Sequence, residues 1–207
     1  MFLACDIGNT NIKSAFFRDD KISGFNSFKD TDSFLKYLGD KKFESAGISS
    51  VVPSINAVIS KGIKKISGVK PYIIDKNSPF SINLNYQTLG TLGIDRICSA
   101  EGAYRLIQKK SPGFIIKNNY VLVIDFGTAT TVNILKMPAE FIGGIILPGI
   151  EIMFGSLNKN TAQLPAAGEK DYKGIIGKST KSSIASGIVS ANAGIIERLQ
   201  NYLKKNE

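Results

Sequence analysis

The sequence predicts a mixed α/β fold in which one strand, hairpin, strand and helix unit occurs twice. Two stretches carry this. "LACDIGNTNIKSAFF" (residues 3–17) and "VLVIDFGTATTVNIL" (residues 121–135) are each an apolar strand ending in Asp-x-Gly, then Asn or Thr, then a second β-prone run. Asp6 and Gly8 therefore correspond to Asp125 and Gly127. The order of β-prone and helix-period segments, repeated in both halves, is that of mixed sheets covered by helices.

In chain order, strands are expected near residues 2–7, 12–18 and 21–28, a helix near 31–38 and a strand near 45–51. A helix follows over 54–66, after Pro53, which suits a first helical turn, and a strand over 71–74. The segment "SINLNYQTLGTLGID" leads into a helix from Ile94 to Lys110, closed by Ser111, Pro112 and Gly113. Strands near 120–125, 129–135 and 140–147, a helix near 149–160 and a long helix over 180–204 complete the second half. The turn-rich stretch at 111–119 separates two predicted domains, 1–113 and 114–207.

Composition narrows the chemistry. At 207 residues the chain can bury a substantial core without disulfides or metals. The net charge of +9 would suit nucleic acid or a phosphorylated ligand. The lysines, however, fall in short scattered groups (Lys61, Lys64 and Lys65; Lys109 and Lys110; Lys204 and Lys205) without interleaved aromatics. A solvated basic surface is expected, and no nucleic-acid partner. No apolar run approaches the roughly 18 residues of a membrane span, and Met1 to Ile7 meets Asp6 too early for a signal peptide. A cytoplasmic protein with no membrane partner is the expectation. Cys5 and Cys98 read as buried thiols in a reducing compartment. The chain has no histidine, so a zinc site is not expected and proton transfer falls by default to a carboxylate.

An apolar strand that ends in Asp-x-Gly has two explanations. A tight turn alone needs only Asn and Gly as punctuation. A bound ligand would explain the carboxylate as well, since an unpaired one at the end of a buried strand is costly. Glycine lets main-chain N–H groups reach phosphate oxygens, and Asn9, Thr10, Thr128 and Thr130 would add donors. Asp6 suits Mg²⁺, a cation that keeps several waters and bridges phosphates, and Lys13 offers a compact positive charge. Two such loops placed by a duplication read as a nucleotide phosphate clamp. "FIGGIILPGI" (residues 141–150) fits equally a flat backbone against a nucleobase and a strand-to-helix turn.

"GTLGIDRICSAEGAYRLI" (residues 90–107) reads as a glycine turn into a helix with Ile94, Ile97, Ala100, Tyr104 and Ile107 on its apolar face. At about 100° per residue Asp95 lies roughly 160° from Ile97, off that face. Its carboxylate either complements the helix dipole beside a surface Arg96 or, with histidine absent and the phosphate loops present, serves as general base. The second role makes Asp95 the candidate catalytic residue.

The set "DIGNTNIK", "GIDR", "DFGTATT" and "GGIILPG", in this order and spacing, resembles the type III pantothenate kinases of the acetate and sugar kinase, Hsc70 and actin superfamily. Essentially the whole chain is covered, and "SSVVPSI" and "GKSTKSSIASGI" are also similar to segments of that family. The resemblance implies a duplicated ribonuclease H-like, actin-like ATPase fold. It implies transfer of the ATP γ-phosphate to the primary hydroxyl of pantothenate, giving 4′-phosphopantothenate, the first step of coenzyme A biosynthesis. Asp6, Ile7, Gly8, Asn9, Thr10, Asn11, Ile12 and Lys13, with Gly127 and Thr128, would then bind ATP and its phosphates, Mg²⁺ lying by Asp6. Asp95 would be the base. Tyr86, Gly93, Ile94, Asp95, Arg96 and Thr180 would hold pantothenate, with Arg96 gripping its carboxylate or amide oxygens through a planar fork. Asp125 would hold a monovalent cation, K⁺ or NH₄⁺, and the second half would carry the adenosine motif. The family's homodimeric state would extend to this chain.

The sequence departs from the family pattern at Leu89, where the family has proline after the tyrosine, and at Asn133, where its second loop has another aspartate. The chain is also short for the family, with a compact "MPAEF" between strands. Kinases of another small alcohol or sugar, or a non-catalytic regulator on the same fold, are the alternatives.

Overall fold

The computed structural model describes residues 1–19, 21–110 and 119–205. It is an α/β protein with two mixed sheets flanked by helices. Contacts divide it into two compact units, Met1–Phe80 with Gln87–Ser99, and Ser81–Tyr86 with Ala100–Glu207. The predicted boundary between residues 113 and 114 lies outside the described residues.

In the first unit, β1 (Phe2–Ile7), β2 (Ile12–Arg18) and β3 (Lys21–Phe28) form an antiparallel meander, and β4 (Ser45–Ser50) and β5 (Tyr72–Ile73) extend it in parallel, in the order β3-β2-β1-β4-β5. Strand alternation sends Leu3, Cys5, Ile7, Ile12, Phe16 and Ile48 to one face. There they form a core with Phe34 and Leu38 of α1 (Thr31–Leu38) and Ile59 and Ile63 of α2 (Pro53–Ser67). Helix α1 starts on Asp30, whose carboxylate accepts the Ser33 N–H at 2.8 Å, and these Ser33 bonds hold its pKa below the ordinary value. Helix α2 has Pro53 in its first turn and ends at Gly68, which takes φ +74° and returns its N–H to Lys64. Cys5 sits inside the core as expected. Burial, with a smaller contribution from the neighbouring Asp6 charge, pushes its thiol up to about 12, so it is an inert core group.

In the second unit, β7 (Tyr120–Phe126), β8 (Ala129–Lys136) and β9 (Glu140–Pro148) form another antiparallel meander, and β6 (Asn83–Leu84) joins β9 in parallel, in the order β6-β9-β8-β7. The sequence repeat thus corresponds to a repeated meander, while the parallel strands are added at different places, beside β1 in one sheet and beside β9 in the other. Phe154 of α4 (Ile150–Lys159) packs on Ile184, Ala185 and Ile188 of α5 (Thr180–Lys204). Helix α3 (Ile94–Lys110) contributes its first residues, to Ser99, to one unit and the remainder to the other. Among the described residues no helix is long and apolar enough to cross a membrane.

Strand β6 was not expected from sequence, because two residues show no period. It is pinned by Glu101 of α3, whose Oε2 accepts the N–H groups of Ser81 and Ile82 at 2.9 and 3.2 Å while Oε1 accepts Arg105 Nε at 2.8 Å. Burial raises the pKa of this carboxyl, but the bonds from Arg105, Ser81 and Ile82 outweigh it and leave the pKa lowered. A pKa lowered on folding stabilises the protein above the unfolded value, about 4.3 for Glu, and the contribution is lost as pH falls through the folded value. Glu101→Gln is therefore expected to destabilise by about 1–3 kcal/mol at pH 7. Denaturant melts of the two proteins should converge as the pH falls through the lowered folded-state value of this carboxyl.

Candidate active site

The first hairpin places Asp6 opposite Lys13 and Ile7 opposite Ile12. Its turn, Gly8–Asn11, is closed by the Gly8 N–H donating to the Asn11 carbonyl at 3.0 Å. Asn9 and Thr10 are exposed at the tip, and Asn11 and Lys13 are half-buried. Ile7 and Ile12 are 0 % and 4 % exposed, and the Ile7 carbonyl accepts the Val51 N–H at 3.0 Å, so both are core residues with little surface to offer a ligand. A Cβ on Gly8 would touch nothing closer than the Asn11 carbonyl at 3.4 Å. The backbone does not demand glycine here, and what glycine provides is a turn surface without a side chain over it.

The second hairpin sets Asp125 opposite Thr131 and Phe126 opposite Thr130. The Gly127 N–H donates to the Ala129 carbonyl at 3.1 Å, so the turn is tighter than the first, with only Gly127 and Thr128 between the strands. Thr128 is exposed at its tip. Thr130 is 2 % exposed and lies on the opposite face of β8 from Thr131, the residue facing Asp125, so it is a buried strand residue and not a loop donor.

Gly149 supports this second loop. It caps the N-terminus of α4 and donates its N–H to the Thr128 carbonyl at 2.9 Å. A Cβ there would lie 2.2 Å from the Gly127 oxygen and 2.5 Å from the Thr128 oxygen. The stretch at 141–150 is thus a strand-to-helix turn at its Pro-Gly end. Its glycine pair has other tasks: Gly144 lies against the β8 backbone, a Cβ there falling 2.0 Å from the Val132 oxygen, and Gly143 adopts φ +117° beneath Tyr86.

Tyr86, just past β6, is half-buried with its ring 6.0 Å from that of Phe141, edge to face. It is part of the second unit, as are Asp125, Gly127, Thr128 and Thr180. Thr180 is exposed at the first residue of α5, behind the capping residue Ser179, whose side chain accepts the Ser182 N–H at 3.2 Å.

Gly93–Arg96, at the start of α3, belong to the first unit with Asp6–Lys13. Ile94 and Ile97 are buried, at 8 % and 0 % exposed, whereas Asp95 stays half-exposed. The Asp95 carboxylate folds back over Gly93, its Oδ1 lying 2.3 Å from where a Cβ on Gly93 would stand. Only glycine leaves room for that posture. Arg96 is 6 % exposed, so it is not a surface charge. Leu89, the departure noted above, is 43 % exposed in a short 3₁₀ turn, Leu89–Thr91. Asn133 is fully buried on β8, on the same face as Thr131 and hence as Asp125.

The family profile described as type III pantothenate kinase matches residues 2–201. The chain belongs to the type III pantothenate kinase family. It is 31 % identical to the type III pantothenate kinase of Sulfurihydrogenibium sp. (strain YO3AOP1), over 99 % of this chain and 84 % of that one. The kinases of Fervidobacterium nodosum and Thermosipho melanesiensis are 34 % and 32 % identical, each over 99 % of this chain and 81 % of theirs. Among solved structures, a conserved protein of Campylobacter jejuni assigned to the Baf family of transcriptional activators superposes with a TM-score of 0.62 at 21 % identity, over 95 % of this chain and 78 % of that one. It shares the fold.

Sequence reasoning left two readings open for the glycines of residues 141–150 and singled out neither Gly143 nor Gly149. Both glycines stood in the quoted stretch at 141–150, but what they touch depends on segments distant in sequence.

Proposed function

We propose that this chain is a pantothenate kinase, transferring the γ-phosphate of ATP to the primary hydroxyl of pantothenate to give 4′-phosphopantothenate, the first step of coenzyme A biosynthesis. Membership of the type III pantothenate kinase family over residues 2–201 carries this. The two glycine-turn hairpins, each with an aspartate at the end of its first strand, support it. The repeated meander supports a duplicated ribonuclease H-like, actin-like ATPase fold.

Asp95 accepts the proton of the attacking hydroxyl as the oxygen–phosphorus bond forms, and the γ-phosphate leaves ADP. Arg96 orients pantothenate, and Gly93, Ile94, Tyr86 and Thr180 are the further residues proposed to contact that substrate. The Gly8 and Gly127 turns, with Asn9, Thr10, Asn11, Lys13 and Thr128, bind the nucleotide phosphates.

The residues at the first hairpin fit Mg²⁺: the donor is a carboxylate oxygen of Asp6, opposite Lys13, and no His, Cys, Asp or Glu cage of three gathers among the described residues. Mg²⁺ suits such a site because it retains waters and takes phosphate oxygens as ligands, and when bound it offsets phosphate charge. Asp125 is the ligand offered to K⁺ or NH₄⁺, with the Asn133 amide where the family has a carboxylate. A cytoplasmic homodimer is the expected form.

The test is coupled ADP release from Mg²⁺·ATP with pantothenate, with K⁺ or NH₄⁺ present and absent. Release that requires pantothenate is expected, and stimulation by either cation that Asp125→Asn loses would assign Asp125. No pantothenate-dependent release under any cation would overturn the substrate and turn the search to other small alcohols.

A further inference from the structure

Ser49 is 7 % exposed, and its hydroxyl oxygen is buried with no hydrogen-bond partner. Buried hydroxyls almost always have one, so an orphan points to a water, ion or ligand that the polypeptide does not itself supply. The position of Ser49 in the sheet narrows the choice. Asp6 on β1 is in register with Lys13 on β2 and with Ser49 on β4. Residues in lateral register share a face, so Lys13, Asp6 and Ser49 make one polar row across three strands, on the side away from the Leu3, Cys5 and Ile7 core. The adjacent row on this face is Ala15, Ala4 and Gly47, all small.

We propose that Ser49 is a positioning residue of the magnesium site: its hydroxyl hydrogen-bonds a water in the hydration shell of the divalent ion held by Asp6. This rests on the assignment of Asp6 to Mg²⁺. Its oxygen donors in this row are one carboxylate for the ion and one hydroxyl for a bound water, beside the Lys13 ammonium, which suits a cation that is held through few protein ligands and keeps its waters. Outer-shell partners of this kind fix ligand orientation, and their loss weakens metal affinity about 10–100-fold.

Ser14 supplies an internal control. It is 2 % exposed and its hydroxyl is likewise unpartnered, but it faces the apolar core, in register with Cys5. Ser14→Ala and Ser49→Ala both remove an unsatisfied buried hydroxyl, so neither apoprotein should melt below wild type. Only Ser49→Ala is expected to raise the Mg²⁺ concentration for half-maximal ADP release, by about 10–100-fold. The gain in ADP affinity on adding Mg²⁺, read by calorimetry without turnover, should shrink in step. Ser49→Cys, similar in size but a weak hydrogen-bonding group, should behave as Ser49→Ala and guards against one variant failing to fold.

Wild-type Mg²⁺ dependence in Ser49→Ala and Ser49→Cys would overturn the proposal, and so would a lowered Tm with no change in Mg²⁺ response. Asp6→Asn separates the two levels. If it weakens Mg²⁺ dependence and the Ser49 variants do not, Ser49 alone is excluded; if it too leaves Mg²⁺ dependence unchanged, the metal assignment of Asp6 falls with it.

Discussion

Asp95→Asn should lower kcat for pantothenate-dependent ADP release by about 10²–10⁴-fold, the usual contribution of a positioned general base. The substitution keeps the side chain's size and its place over Gly93 but removes the atom that accepts the proton. It also forgoes the attraction between an ionised carboxylate and the N-terminus of α3, about 0.3–1 kcal/mol, so Tm should fall only slightly. Because Asp95 is half-exposed, no packing is lost. KM for pantothenate should change much less than kcat, since the lost interaction develops in the transition state. Steady-state kinetics beside a thermal melt read both quantities. A variant retaining more than about a tenth of wild-type kcat would show that the hydroxyl proton leaves by another route.

Gly149→Ala should damage stability and nucleotide binding together. An added methyl would stand 2.2 and 2.5 Å from two main-chain oxygens of the Gly127–Thr128 turn. Backbone cannot swing aside as a side-chain tip can, so either α4 retreats or the turn deforms. Overpacking of this kind destabilises by about 1–3 kcal/mol. The turn that must move also holds Thr128, so KM for ATP should rise by more than KM for pantothenate. Gly155→Ala in α4 is the control, because a Cβ there meets nothing within 4 Å; it should leave both constants unchanged and, by helix propensity, raise stability by about 1 kcal/mol. Equal behaviour of the two variants would remove Gly149 from any role in the second loop.

The long elements were legible because hydrophobic period reports them directly. β1, β2 and β3 occupy the expected residues, as does α5. What could not be read is what depends on partners far along the chain. Asn83–Leu84 becomes a strand only because Glu140–Phe141 lies beside it and Glu101 ties the preceding backbone. The candidate site was legible residue by residue, since glycine turns and a helix start declare themselves locally. Thr130 was misread as a loop donor because the length of the second turn, which decides which residues share the face of Asp125, is not fixed by composition. Arg96 read as a surface charge or as a substrate contact, and its burial removes only the first of these. Ser49 opens the quoted "SSVVPSI" but drew no role of its own, because a strand serine acquires meaning only from its lateral neighbours.

The parallel pairing of β6 with β9 bears on how the polypeptide is assembled as it leaves the ribosome. The strands of the first sheet have all been made by Ile73, and the rest of its compact unit by Ser99. Ser81–Tyr86 is synthesised in between, yet its strand partner, Glu140–Phe141, and the Gly143 backbone beneath the Tyr86 ring come much later in the chain. Contacts of such sequence separation form late, because a long loop must close before they are rewarded. During synthesis Tyr86 waits unseated while the first hairpin is already built, and a nascent chain halted before Glu140 would have a folded first sheet but no setting for the tyrosine.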